Sequence, residues 1–277
     1  MAKMGWVSTV VLAAGVFAAP APVQAQVLPV SIEASGNVAS ARIGVLGQTL
    51  ADVTLVFEDA TGLNASSIGI TAQRISLSDL AGRLPDASLT SIPGTLPLLI
   101  TIEPGALGGL SFRNTGRIEV HTHAIPYTIG SSFRLLKAPL GGQFRDVTDE
   151  IAQGSVRARG TYGGFSQFVI VADLRPTGAV IGEKFSQLRS TVAALPVGER
   201  AAFTALLDDA QAAVASADYA TAIAHIDAVR DRATARAGTH LPNEWRATRN
   251  VTNHAGELAA GAATLRFSVA YLRDFGH

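Results

Sequence analysis

The chain contains no cysteine in 277 residues. That removes a thiol nucleophile, a dithiol redox pair and any zinc site built on thiolates. It also removes disulfides and the cysteine that a bacterial lipid anchor requires. Excess charge is missing as well: 22 basic side chains face 22 acidic ones. From residue 26 to 176 the count is 11 basic to 12 acidic, and from 177 onward it is 10 to 10. Neither half has the basic surplus that neutralises a phosphate backbone, so no nucleic-acid partner is expected. Lysine is scarce, 3 against 19 arginines, which we ascribe to codon usage. Beyond residue 25 no apolar run approaches the roughly 20 residues that span a bilayer, so no transmembrane segment is expected there.

The first 25 residues are of another kind. Lys3 supplies a positive start, and Trp6 to Ala19 is an almost unbroken run of apolar or small residues. Val23-Gln24-Ala25 then places small residues where a signal peptidase reads. The sequence thus predicts a signal peptide over 1–25, cleaved before Gln26, and a soluble periplasmic or extracellular protein. A membrane anchor is the competing reading, and Pro20 and Pro22 interrupt the run it would need. Export reaches an oxidising compartment, where small domains often rely on disulfides. This chain must rely on its core, and about 250 residues suffice to bury one.

Two halves follow with different hydrophobic periods. In 26–176 apolar and polar residues alternate, as in Val30–Glu33, Ala41–Val45, Val53–Phe57, Ile68–Ile70 and Leu98–Ile102. Gly116–His123, Ser132–Leu136, Ser155–Arg159 and Phe165–Val171 continue the series, with Gly, Pro, Asn and Asp between them. Seven to nine short strands predict an antiparallel sandwich, with a barrel as the alternative. Ser76–Leu84 suits one short helix. After the linker-like Arg175-Pro176-Thr177-Gly178 the period becomes helical. Helices are expected over Glu183–Leu195, over Glu199–Ala217, and from the N-cap Asp218 to Gly238. Thr264–Leu272 fits either a strand or a helix, and we read it as helix. The expected fold class is α+β: a β-sandwich over 26–176, then a small all-α domain over 177–277.

Phe144-Arg145-Asp146-Val147-Thr148, Gly154–Gly160 and Gly163-Gly164-Phe165-Ser166-Gln167-Phe168-Val169-Ile170-Val171 resemble the closing strands of sandwich modules in bacterial surface and secreted proteins. Carried through to Leu241-Pro242-Asn243-Glu244-Trp245-Arg246, the chain resembles an uncharacterised family of exported bacterial proteins, a sandwich followed by a helical tail. The resemblance covers about half the chain and implies architecture only. It brings no catalytic residue and no cofactor. Phe165 and Phe168, three apart, cannot share one face of a regular strand. Gly163-Gly164 is expected to allow a bulge or turn that returns Phe165 to the core.

Chemistry has few footholds. His121-Thr122-His123 places two imidazoles on one face of a strand, where both could reach one zinc or copper ion. Glu119, on the same face, is the nearest third ligand. The plain alternative is a solvent-facing pair, with Ile118 and Val120 turned to the core. Asp146, Asp149 and Glu150 could attract calcium, although their spacing is not that of an EF-hand and a solvated turn explains them. There is no Gly-x-Ser-x-Gly elbow and no phosphate-binding glycine loop. Trp245 is read as closing a seam between the halves, and the hairpin around Ala217-Asp218-Tyr219 as a plain helix pair, since a peptide-binding repeat array needs further copies.

The expectation is therefore an exported, non-catalytic module for binding, adhesion or assembly in the cell envelope, with a protein or glycan partner and no cofactor. Two alternatives make different demands. A secreted hydrolase needs a pocket that gathers polar side chains from distant segments. A docking scaffold needs an exposed apolar stripe on the helical hairpin.

Overall fold

Alternate side chains of Val38–Val45 are buried: Ala39, Ala41 and Ile43 turn inward, while Val38, Ser40 and Arg42 turn outward. The same period repeats along most of the first half and produces two stacked antiparallel sheets. The computed structural model describes residues 26–45 and 47–276. The signal segment, with its expected cleavage site, lies outside the described residues.

The strands run β1 (Gln26–Leu28), β2 (Val30–Ser35), β3 (Val38–Val45), β4 (Gln48–Thr61) and β5 (Ile70–Arg74), then a single helical turn α1 (Leu77–Leu80). Next come β6 (Thr90–Ser91), β7 (Leu98–Ile102), β8 (Ser111–Pro126), β9 (Phe133–Ala138), β10 (Arg145–Asp146), β11 (Thr148–Ala152), β12 (Ser155–Tyr162) and β13 (Gln167–Asp173). The helical part holds α2 (Thr177–Ala193), α3 (Val197–Ala215), α4 (Tyr219–Arg236), a further strand β14 (Glu244–Arg246) and α5 (His254–Phe275). One sheet has the order β1-β5-β7-β13-β9-β10, and β6 adds to β13. The other has the order β11-β12-β8-β4-β3-β2, and β14 adds to β8. The sandwich expectation holds, with more strands than the seven to nine anticipated. Thr264–Leu272 is helix, within α5.

The sandwich core joins Ile100, Phe168 and Ile170 of the first sheet to Val53, Leu55, Ile118 and Ala158 of the second. Phe57, Phe112, Tyr162 and Phe165 form a ring cluster at one end, with centroids 5.2 to 6.5 Å apart. Phe165 does return to the core after Gly163-Gly164. Ile75, Leu80 and Leu84 cover the outer face of the first sheet, against Leu99, Leu136 and Val169. Among the described residues no such apolar cluster lies over Arg42, Thr54, Glu119 and Arg157 on the outer face of the second.

The helices hold a separate apolar cluster. Phe203, Leu207 and Ala210 of α3 meet Ala222, Ile226 and Val229 of α4, so the hairpin stripe is buried rather than exposed. That removes the feature a docking scaffold required. Asp218 caps α4 as expected, accepting from the Thr221 N–H at 3.1 Å.

Two details fasten the helices to the sandwich. Trp245 on β14 pairs with Phe112 of β8, stacks on its ring at 5.4 Å and is buried in the sandwich core. Asn253 caps α5 by accepting from the Gly256 N–H, and its amide donates to Asn114 O at 2.6 Å and Gly163 O at 3.0 Å. The approach is so close that a Cβ on Gly256 would lie 2.1 Å from Asn114 O, and one on Gly163 would lie 2.5 Å from the Glu257 nitrogen. Both positions need glycine for space. The segment read as a linker is also fixed: Arg175 and Asp173 form a buried ion pair at 2.8 Å, and α2 begins at Thr177, six residues before its expected start.

Candidate functional site

Edge strands β10 and β11 belong to different sheets and are joined by the single residue Val147. Helices α2 and α5 pack against this side of the sandwich, and a cavity of about 140 Å³ remains between them. Lys137 of β9, Arg145 and Asp146 of β10, Tyr162 of β12, Lys184 of α2 and Glu257 of α5 all line it. Polar groups from distant segments thus converge here.

Asp146 is not part of a solvated acidic turn. It is buried, faces Lys184 Nζ at 2.9 Å, and accepts from the Thr148 N–H and hydroxyl. Burial works against its negative charge, yet Lys184 and Arg134 outweigh burial and hold its carboxyl below the usual range. Lys184 also donates to Thr264 O and Ser268 Oγ, both at 2.9 Å. Asp149 and Glu150 point elsewhere, to Arg117, Thr161 and Arg159. The three carboxylates therefore do not form one calcium site.

Lys137 is less well served. It is 5 % exposed, and its Nζ lies 5.8 Å from the centre of the Tyr162 ring. Its nearest carboxylate oxygen is Glu257 Oε1 at 3.7 Å, while Glu257 Oε2 accepts from Arg145 at 2.9 Å. Burial lowers the Lys137 ammonium to about 8, against the partial support of Glu257. Burial opposes the charge of Glu257 too, but Lys137 and Arg145 together keep it ionised, below its ordinary value. The Tyr162 hydroxyl is buried without a hydrogen-bond partner, and burial raises its pKa well above the ordinary value. Sequence reasoning missed this cavity. Buried lysines in a chain with only three were the available signal.

The histidine pair does not line the cavity and lies on the outer face of the second sheet. His121 and His123 share that face as expected, with ring centroids 4.4 Å apart. Register places Asp52 of β4 directly opposite His121. One ligand atom from each of Asp52, His121 and His123 lies within 4.8 Å of the other two. Glu119, the third ligand expected from sequence, is instead held by Arg157 at 2.9 Å and Arg159 at 2.5 Å. Ile118 and Val120 face the core as expected.

The chain belongs to a family of unknown function (DUF6689), whose model matches residues 12–273. No curated protein and no solved structure matches it.

Proposed function

We propose that the protein is an exported, non-catalytic binding module of the cell envelope, and that it takes a small organic carboxylate in the seam cavity. The N-terminal segment, with Lys3, its apolar run and Val23-Gln24-Ala25, supports export. The observation that carries the ligand class is Lys137, a buried cation that faces a cavity and whose nearest carboxylate oxygen stays 3.7 Å away. Buried polar groups are nearly always satisfied by protein, water or ligand. The surrounding charge agrees. Glu183 also lines the cavity but is taken by Arg175 at 2.6 Å. Lys137, Arg145 and Lys184 then outnumber Asp146 and Glu257, leaving one positive charge uncompensated. The unpartnered Tyr162 hydroxyl offers a further donor. At about 140 Å³ the space resembles an engineered cavity of roughly 150 Å³ that holds benzene, so the ligand is no larger than a substituted ring.

Calorimetry with acetate and benzoate tests this. Binding is expected at pH 7, where Lys137 is protonated, and it should fade above about pH 8 as that proton leaves. Lys137→Met should abolish it. No heat from either acid at pH 7 would count against the carboxylate reading.

One observation favours the hydrolase alternative: the cavity gathers polar side chains from distant segments, and a lysine titrating near 8 could serve as a general base. Against it, no serine or histidine lines the cavity, and each carboxylate there already faces a cation. Turnover of nitrophenyl esters that disappears in Lys137→Met would favour the enzyme over the binding module.

A further inference from the structure

We infer that Asp52, His121 and His123 form a surface site for a divalent transition metal of the zinc and copper class, independent of the seam cavity. The three side chains come from adjacent strands whose ladder fixes their backbone positions. Asp52 and His121 are direct cross-strand partners, and Val53↔Val120 and Ala51↔Thr122 continue the register on either side. His123 projects from the same face two residues on. The donor atoms already lie within 4.8 Å of one another, and His123 Nε2 is 3.2 Å from Asp52 Oδ2. Bonds of about 2.0 to 2.2 Å to nitrogen and carboxylate oxygen require only small side-chain rotations from there.

The donor set selects the ion. Two imidazoles and one carboxylate suit zinc, copper or nickel and offer too few oxygens for calcium or magnesium. Three protein ligands leave coordination positions open to water, as expected of a site on an exposed face. The surroundings also fit. Ser155 Oγ lies 2.8 Å from His121 Nε2 and orients that ring. Arg42, the competing partner of Asp52, is 3.5 Å away with a side chain 72 % exposed, free to swing aside.

Zinc chloride titrated into the tag-free protein at pH 7.5 should bind at one ion per chain. His123→Ala and Asp52→Asn should each weaken binding at least about 10-fold, with unchanged circular dichroism, since both residues sit on the surface. His240→Ala, at an exposed histidine of the helical part, should bind as the parent does. Copper loaded at the same stoichiometry should show coupling to two imidazole nitrogens, reduced to one in His121→Ala. Absence of zinc binding by the parent would overturn the site. So would equal affinity in His123→Ala, or a loss in His240→Ala as large as in His123→Ala.

Discussion

On the outer face of the second sheet Glu119 lies between Arg157 and Arg159, and water reaches all three. At the seam Asp146 faces Lys184 with side chains only 2 % and 7 % exposed. The chemistry is the same, and the energetics differ because solvent differs. An exposed ion pair exchanges hydration for a contact of similar strength and adds about 0 to 1 kcal/mol. A buried pair adds little net stability over a well-packed apolar pair, but loss of one partner strands a charge in a poor solvent. The seam pairs are therefore best read as devices that fix how α2 and α5 sit, while the outer rows place hydrated charge along the exposed face of the second sheet.

The sharpest way to break the comparison is to neutralise one seam partner. Asp146→Asn keeps an acceptor for Thr148 and leaves Lys184 without its counter-ion. It should destabilise by about 3 kcal/mol in urea unfolding. Adding Lys184→Met should restore at least half of that, because the stranded charge is then gone. If the double variant is as unstable as the single one, packing rather than charge is the cause.

Lys137 gives the next effect, and its sign follows from its depressed folded pKa. Between about pH 8 and 10.5 the unfolded chain still binds a proton that the folded chain has released. Stability attributable to Lys137 therefore rises with pH across that window, by roughly 3 kcal/mol at most. Lys184 is shifted down by burial and adds in the same direction. Melting temperatures between pH 7 and 10 should climb less steeply in Lys137→Met than in the parent. Identical slopes would show that Lys137 is solvated in the folded state.

Much of the fold was legible because it is local. Leu98–Ile102 reads as a strand from its own residues and is one, as β7. The α3 and α4 stripes follow from spacings of three and four. What escaped was set by partners far away in sequence. Strand β14 is three residues long, too short for any period, and exists because Trp245 needs Phe112 and Phe165 around it. The first two turns of α2 contain Gly178 and Gly182 and follow Pro176, a composition that imitates a linker. Asp146 was grouped with Asp149 and Glu150 in a solvated turn because Lys184, its burial partner, lies 38 residues on. At the histidine pair the face was readable from the alternation, but the third ligand was not. Only the β4–β8 register brings Asp52 to His121, and only the β12–β8 register gives Glu119 to the arginines.

The smallest expected effect lies on that same outer face. Glu119→Gln removes the carboxylate charge between Arg157 and Arg159. Arg159 keeps Glu150 at 2.6 Å, and water can solvate Arg157, so the loss should stay within about 1 kcal/mol. Salt should erase even this: at 1 M the Debye length is about 3 Å, and the variant should match the parent. Asp146→Asn, out of reach of the ions, should keep its full deficit in the same salt. The pH dependence gives a second handle. Burial opposes the Glu119 charge, but its two arginines hold the carboxyl below its ordinary value, so its stabilisation is present at neutral pH and lost as pH falls through its folded pKa. The Gln variant and parent should therefore converge in acid as well as in salt. A Glu119→Gln loss near that of Asp146→Asn, unmoved by salt, would mean that water does not reach this face in solution. The second sheet would then have to be covered, and the contrast between a wet face and a dry seam would fail.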